Sequence, residues 1–274
     1  MSFGLPTRPT EAKLTYGGYL RVPELLALQT LQSTPGQHDE TLFIIIHQVY
    51  ELWFKQMLHE VDTILTSLER NEVLATVRLL RRCIEIQRVL IAQIAVLETM
   101  TPMDFLAFRD HLMPASGFQS AQFRELEFVS GLKSDRFLRN FPPQSPEYQQ
   151  LKARLDGPTL GEAFDGVLHR RGFPMPPDTD ATTHQQRLDS LVRLYQESEK
   201  HYDLFLLAEN LIEYDAEFSL WRLRHVKMVE RMIGTKPGTG GSAGAAYLKS
   251  TVEQRFFPDL WEVRSHLSKT AGTY

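Results

Sequence analysis

An all-α fold is the architecture this sequence predicts, and three observations predict it. Glycine and proline, which interrupt regular structure, are missing from Gln37 to Thr101 and again from Asp178 to Ile233. Inside these stretches apolar residues return at three- and four-residue steps, the period of one helix face. Sustained alternation of apolar and polar residues, the signature of a half-buried strand, is missing from the whole chain of 274 residues.

The elements follow in order. One helix over 37–101 would reach nearly ~100 Å at ~1.5 Å per residue, so a break is expected at the polar cluster Glu69-Arg70-Asn71-Glu72, with Asn71 as a cap. The first of the two long helices carries Phe43, Ile46, His47, Tyr50, Phe54 and Met57 on one face; the second carries Leu79, Ile84, Ile86, Val89 and Leu90 more loosely. Shorter helices are expected near 102–113, 117–131, 147–155 and 159–171, separated by loops at Pro142-Pro143 and at Pro174 to Pro177. The second uninterrupted stretch opens with Thr183 and Gln186 at capping-box spacing and stops at Gly234, where a C-terminal glycine is expected. Neither an internal repeat nor a long linker divides the chain, so residues 1–274 read as a single domain.

Composition narrows the function classes. Apolar residues at 42% and charged residues at 23% describe an ordinary globular protein with enough chain to bury a core. A net charge of −4 gives no electrostatic footprint for nucleic acid or for an anionic membrane. Cys83 is the one cysteine, which excludes an intrachain disulfide, a zinc ribbon and covalent haem attachment. The longest apolar runs, Leu42 to Ile46 and Val89 to Leu97, fall short of a membrane span, and the opening residues lack a basic stretch followed by an apolar one, so a cytoplasmic protein is expected.

Candidate chemistry begins with two histidines. His47 sits within Phe43-Ile46-His47-Tyr50-Phe54, and His225 shares a face with Phe218, Trp221, Met228 and Met232 on the last long helix. A histidine in such surroundings is more often a hydrogen-bonded core residue. Two of them, ringed by aromatic and methionine side chains, also suit a flat apolar macrocycle whose iron takes an imidazole ligand. The metalloprotease alternative fails on spacing, because Thr63 stands four residues after His59 where a second histidine is needed. Arg109, behind Phe105 and Phe108, either pairs with a neighbour such as Asp110 or clamps a substrate carboxylate with its planar fork of donors. Ser116 and Gln119 have capping-box spacing. In Lys236-Pro237-Gly238-Thr239-Gly240-Gly241-Ser242 the lysine precedes the glycines, which argues against a nucleotide loop; a surface loop, or a lid carrying the Thr239 hydroxyl, fits better.

Six blocks then carry a family resemblance: Leu14-Thr15-Tyr16-Gly17-Gly18-Tyr19-Leu20, Phe43 to Lys55 with His47 inside, Phe108-Arg109-Asp110, Pro114 to Ser120, Trp221-Arg222-Leu223-Arg224-His225, and Gly238 to Ser242. In order and spacing they resemble the tryptophan 2,3-dioxygenases over nearly the whole chain. That resemblance implies long antiparallel helices around a haem b pocket, a homotetramer built as a dimer of dimers, and an N-terminal segment (1–36) exchanged between subunits. It implies cleavage of the indole 2,3 bond of L-tryptophan by O₂ to N-formylkynurenine, the first step of tryptophan catabolism by the kynurenine pathway. His225 would be the proximal iron ligand and His47 the distal residue beside the indole nitrogen. Arg109 and Thr239 would hold the amino-acid end, Phe43 and Phe105 would wall the indole, and Ser116 and Gly117 would lie along the haem edge. Tyr16, Tyr19 and Leu20 would reach a neighbouring subunit's pocket. The same scaffold could instead serve a haem-dependent oxygenase acting on a substituted tryptophan or indole in secondary metabolism.

Overall fold

The computed structural model describes residues 14–238 and 244–268, and among them every regular element is helical. Three long helices form the frame: α3 (His38–Glu69), α4 (Val73–Leu97) and α10 (Tyr202–Ile233). They are preceded by two short exposed helices, α1 (Tyr16–Leu20) and α2 (Val22–Leu25). Between α4 and α10 run α5 (Pro102–Arg109), α6 (Ala121–Ser130), α7 (Pro146–Asp156), α8 (Leu160–Arg170) and α9 (Ala181–Gln196). Two short helices, α11 (Ala245–Lys249) and α12 (Pro258–Glu262), follow α10. No single helix among the described residues is long and apolar enough to cross a membrane.

The expected break after Glu69 is present. Asn71 takes a φ of +60°, a left-handed conformation that asparagine tolerates, and so turns the chain back on itself. Arg170 of α8 donates to the Leu68 carbonyl at 2.6 Å, beside the Asn71 amide at 3.0 Å, and so ties the end of α3 to α8. At the start of α3 the buried carboxylate of Glu40 accepts from the Gln32 and Ser33 amides at 2.6 and 3.1 Å and from the Ser33 hydroxyl, which pins the incoming loop.

Register between the long helices shows their directions. Tyr50 donates to the Leu90 carbonyl and Arg82 to Glu60, so α3 and α4 are antiparallel. Gln87 reaches the Tyr214 carbonyl and Arg224 reaches Glu98, so α4 and α10 run the same way. The antiparallel expectation therefore holds for α3 against its neighbours but not for α4 with α10. The reason is the intervening chain, whose helices α5 to α9 carry it back to the end at which α4 began. Met57, Val61, Ile64, Leu68, Leu80, Leu204, Leu207, Leu211 and Tyr214 are completely buried where the three helices meet. Each such aliphatic side chain contributes roughly 1.5–3 kcal/mol relative to exposure.

Two boundaries differ from expectation. The uninterrupted stretch up to Ile233 is two helices, broken at Glu197 to His201 without glycine or proline. His201 leaves helical geometry (φ −121°, ψ 42°) and packs edge-on against Phe173 at 4.9 Å, a tertiary contact that local sequence does not announce. The first of the two is capped by Asp180 with Thr183 as its third residue, not by Thr183 with Gln186, because the aspartate accepts the Thr182 and Thr183 amides at 2.8 and 2.9 Å. The expected cap at Ser116 with Gln119 is present, on a single 3₁₀ turn (Gly117–Gln119) that precedes α6.

Candidate active site

A cavity of about 320 Å³ opens between α3 and α10, with α5, α6 and α11 closing its sides. Phe43, His47, Phe105, Arg109, Ser116, Gly117 and His225 all line it, although they come from four separate parts of the chain. Tyr16, Tyr19 and Leu20 do not; they stand exposed on α1. Thr239 lies outside the described residues.

Helix periodicity accounts for the aromatic wall. Phe43 and His47 are one turn apart on α3, and their rings lie 4.1 Å apart. Phe105 stacks on Phe43 at 5.7 Å, and Phe108 meets both edge-on at 5.5 Å. α5 is held in place to present these rings by a capping box between Thr101 and Asp104, with Pro102 at its first position.

The two histidines differ in what their nitrogens do. His47 Nδ1 lies 2.7 Å from the Phe43 carbonyl, which can only accept, so Nδ1 carries the proton and Nε2 carries the lone pair. The ring is open to the cavity yet enclosed by protein, and that enclosure lowers its pKa despite the carbonyl and the nearby Glu51 carboxylate. His225 is pushed down to about 4, first by burial and then by repulsion from His47. Trp221, one turn earlier on α10, stacks on it at 5.2 Å with planes 7° apart. Among the described residues neither His225 nitrogen has a hydrogen-bond partner, so a neutral imidazole with an available lone pair faces an apolar cavity. That is the form in which histidine binds a metal.

Arg109 makes no ion pair among the described residues, and the alternative pairing with Asp110 is not formed. Its guanidinium instead donates from Nη2 to the backbone carbonyl of Pro237.

Sequence reasoning missed a buried ionic cluster on the same cavity wall. Glu127 of α6 accepts from Arg124 on the same helix and from Arg222 of α10, the latter at 3.1 Å. All three are nearly inaccessible to solvent. Arg222 also donates to the Gln254 carbonyl at 3.0 Å, and the Arg124 guanidinium lies 4.1 Å from the Phe137 ring centre. Two guanidiniums share one carboxylate, so a positive charge is left over. The Nε of each arginine is buried without a partner. Such an arrangement is costly unless an anion completes it. The one signal available beforehand was that Arg222 stands three residues before His225, on the same helix face. Glu51 was likewise missed; its carboxylate accepts from the Ser120 hydroxyl at 2.6 Å and the Gln122 amide at 2.7 Å, which fastens the Ser116–Ser120 segment to α3.

Comparison with known proteins shows the family. The family model described as tryptophan 2,3-dioxygenase matches residues 4–153 and 181–267. A tryptophan 2,3-dioxygenase of Nocardioides sp. is 48% identical over 261 residues, covering 93% of this chain and 96% of that protein. Tryptophan 2,3-dioxygenases of Herpetosiphon aurantiacus and Anaeromyxobacter dehalogenans are each 46% identical, over 93% of this chain and 98% and 97% of their own lengths.

Proposed function

Because the chain belongs to the tryptophan 2,3-dioxygenase family, we propose that it cleaves the indole 2,3 bond of L-tryptophan with O₂ to give N-formylkynurenine, in a cavity that holds haem b. The observation that carries this reading is the pair His47 and His225: two imidazoles brought to one aromatic cavity by different helices, with the surrounding protein lowering the pKa of each. The residues present fit the cofactor. His225 offers the lone pair that iron needs, the walls are apolar, and the unpartnered Nε groups of Arg124 and Arg222 suit the carboxylates of a porphyrin.

Haem, when bound, supplies the redox chemistry by which dioxygen reacts with an indole. Everything else falls to the protein. Arg109 takes the substrate carboxylate and Thr239 the ammonium end. Phe43 and Phe105, stacked on each other, wall one side of the indole, and fixing it in this way supplies several kcal/mol of the rate enhancement. His47 would serve the substrate: its Nδ1 is committed to the Phe43 carbonyl, which leaves Nε2 to accept from the indole N–H. Stacked Trp221 holds the His225 ring plane.

The assembly is a homotetramer. Tyr16 and Tyr19 are 80% and 71% exposed, and Leu26 and Leu28 beyond them 70% and 61%, an apolar edge that a second copy of the chain would cover. Gln29 and Gln48 tie this edge to α3 through a 2.6 Å hydrogen bond. The enzyme works in the cytoplasm. Burial pushes the Cys83 thiol up to about 12, so it offers no reactive thiolate there.

The test is anaerobic reduction of haem-loaded protein, addition of L-tryptophan and admission of ¹⁸O₂. Gain of both labelled atoms in a ring-opened formyl product supports the reading, and His225→Ala should lose the Soret band and the activity together. A wild-type protein that folds but takes up no haem would end it.

A further inference from the structure

We infer that the backbone carbonyl of Pro237 positions Arg109 for the substrate carboxylate, and that Gly244 fixes where that carbonyl lies. This inference rests on the reading of Arg109 as the carboxylate clamp. Arg109 is the last residue of α5, and its guanidinium donates through Nη2 to the Pro237 carbonyl, 128 residues away in sequence. One such bond fixes the guanidinium plane while Nη1, Nε and the second Nη2 hydrogen stay available to a ligand. A long side chain at the mouth of a cavity is thereby aimed before any substrate arrives, which lowers the ordering cost of binding.

The carbonyl is in turn held by backbone packed on backbone. Gly244 has a φ of +58°, and a Cβ placed on it would lie 2.5 Å from the Lys236 carbonyl oxygen and 3.7 Å from the Gly238 nitrogen. Nothing larger than glycine fits that approach without moving the Lys236 carbonyl, while the Gly238 nitrogen stays in ordinary contact. Pro237 directly follows Lys236 and its ring fixes its own φ, so a shift of the Lys236 carbonyl is passed on to the Pro237 carbonyl. Gly238, Gly244 and Arg109 all line the cavity, which places this device at the site itself. Pro237 and Gly244 are positioning residues, acting through Arg109.

The experiment compares L-tryptophan with tryptamine, which keeps the indole and the ammonium but lacks the carboxylate. Binding to haem-loaded full-length protein is measured by calorimetry, and Soret spectra report the pocket. Arg109→Leu should erase the preference for tryptophan. Gly244→Ala should reduce that preference by about tenfold, the scale of one hydrogen bond to a charged group, entirely through weaker tryptophan binding, with tryptamine affinity and the Soret band unchanged. Pro237→Ala, which keeps the carbonyl but frees its torsion, should reduce it by about threefold, and it decides the matter if Gly244→Ala takes up no haem. If Arg109→Leu abolishes the preference while Gly244→Ala and Pro237→Ala retain it, the inference is wrong and the clamp stands. Equal weakening of both ligands by the two loop variants means a merely structural role and also overturns it. If Arg109→Leu itself keeps the preference, the clamp reading fails and takes this inference with it.

Discussion

Replacing Glu127 by glutamine tests the ionic cluster most directly. The substitution keeps the shape of the side chain and removes the charge that two buried guanidiniums share. Both pairs are almost fully buried, with side-chain exposures of 8% and 6% for Arg124 and Glu127 and 3% for Arg222. Loss of one partner from a buried pair typically costs about 3–5 kcal/mol, because the remaining charge stays out of water uncompensated. Here two cations are stranded, so the apo protein should lose at least that much, about 3–5 kcal/mol. If the porphyrin carboxylates complete the cluster, haem-loaded protein should lose less, because bound anions compensate the same guanidiniums. Urea unfolding of apo and loaded protein, wild type and variant, measures both quantities from the midpoint and slope. An equal loss in the two forms would show that no ligand charge reaches Arg124 and Arg222. A loss of less than about 1 kcal/mol in the apo form would show that the cluster is not acting as a buried ionic unit.

Two further outcomes are expected. His47→Phe should leave the Soret band in place and lower kcat/KM for L-tryptophan by about tenfold, the scale of one lost hydrogen bond to the indole N–H; loss of all turnover would mean that His47 does more than accept that bond. His184 of α9 lies 3.0 Å from Asp178 and 3.2 Å from Glu262, and these partners raise its pKa above the ordinary 6.5. The pairing therefore stabilises the fold fully below the unfolded value and is lost as pH rises through the folded one. The gap in Tm between wild type and His184→Gln should accordingly be larger at about pH 5.5 than at about pH 8.5, and a gap that does not change with pH would refute the pairing.

Much of the site was legible because its signals are local. The face Phe43-Ile46-His47-Tyr50-Phe54 follows from helix periodicity alone, and Phe43 and His47 do meet as ring neighbours. The cap at Ser116 and the stop at Gly234 follow from local hydrogen-bonding rules. The break at Glu197 to His201 was not legible, since no glycine or proline marks it and the packing of His201 against Phe173 there is a tertiary contact. Nor was the partner of Arg109: nearby Asp110 looked suitable, while the bond actually made is to a carbonyl far along the chain. Arg124, Glu127 and Arg222 read singly as charged residues on amphipathic helices, and only their meeting makes them a buried cluster.

By itself the amino-acid order determined which segments are helical and which side chains share a face, because those properties depend on neighbours within about a turn or two. The tertiary structure decided that α4 runs alongside α10 in the same direction, that His225 is desolvated to a pKa near 4, and that one carboxylate is divided between two arginines. Protonation and charge balance at the cavity depend on burial and on distances between groups from different helices, and neither quantity exists until those helices pack.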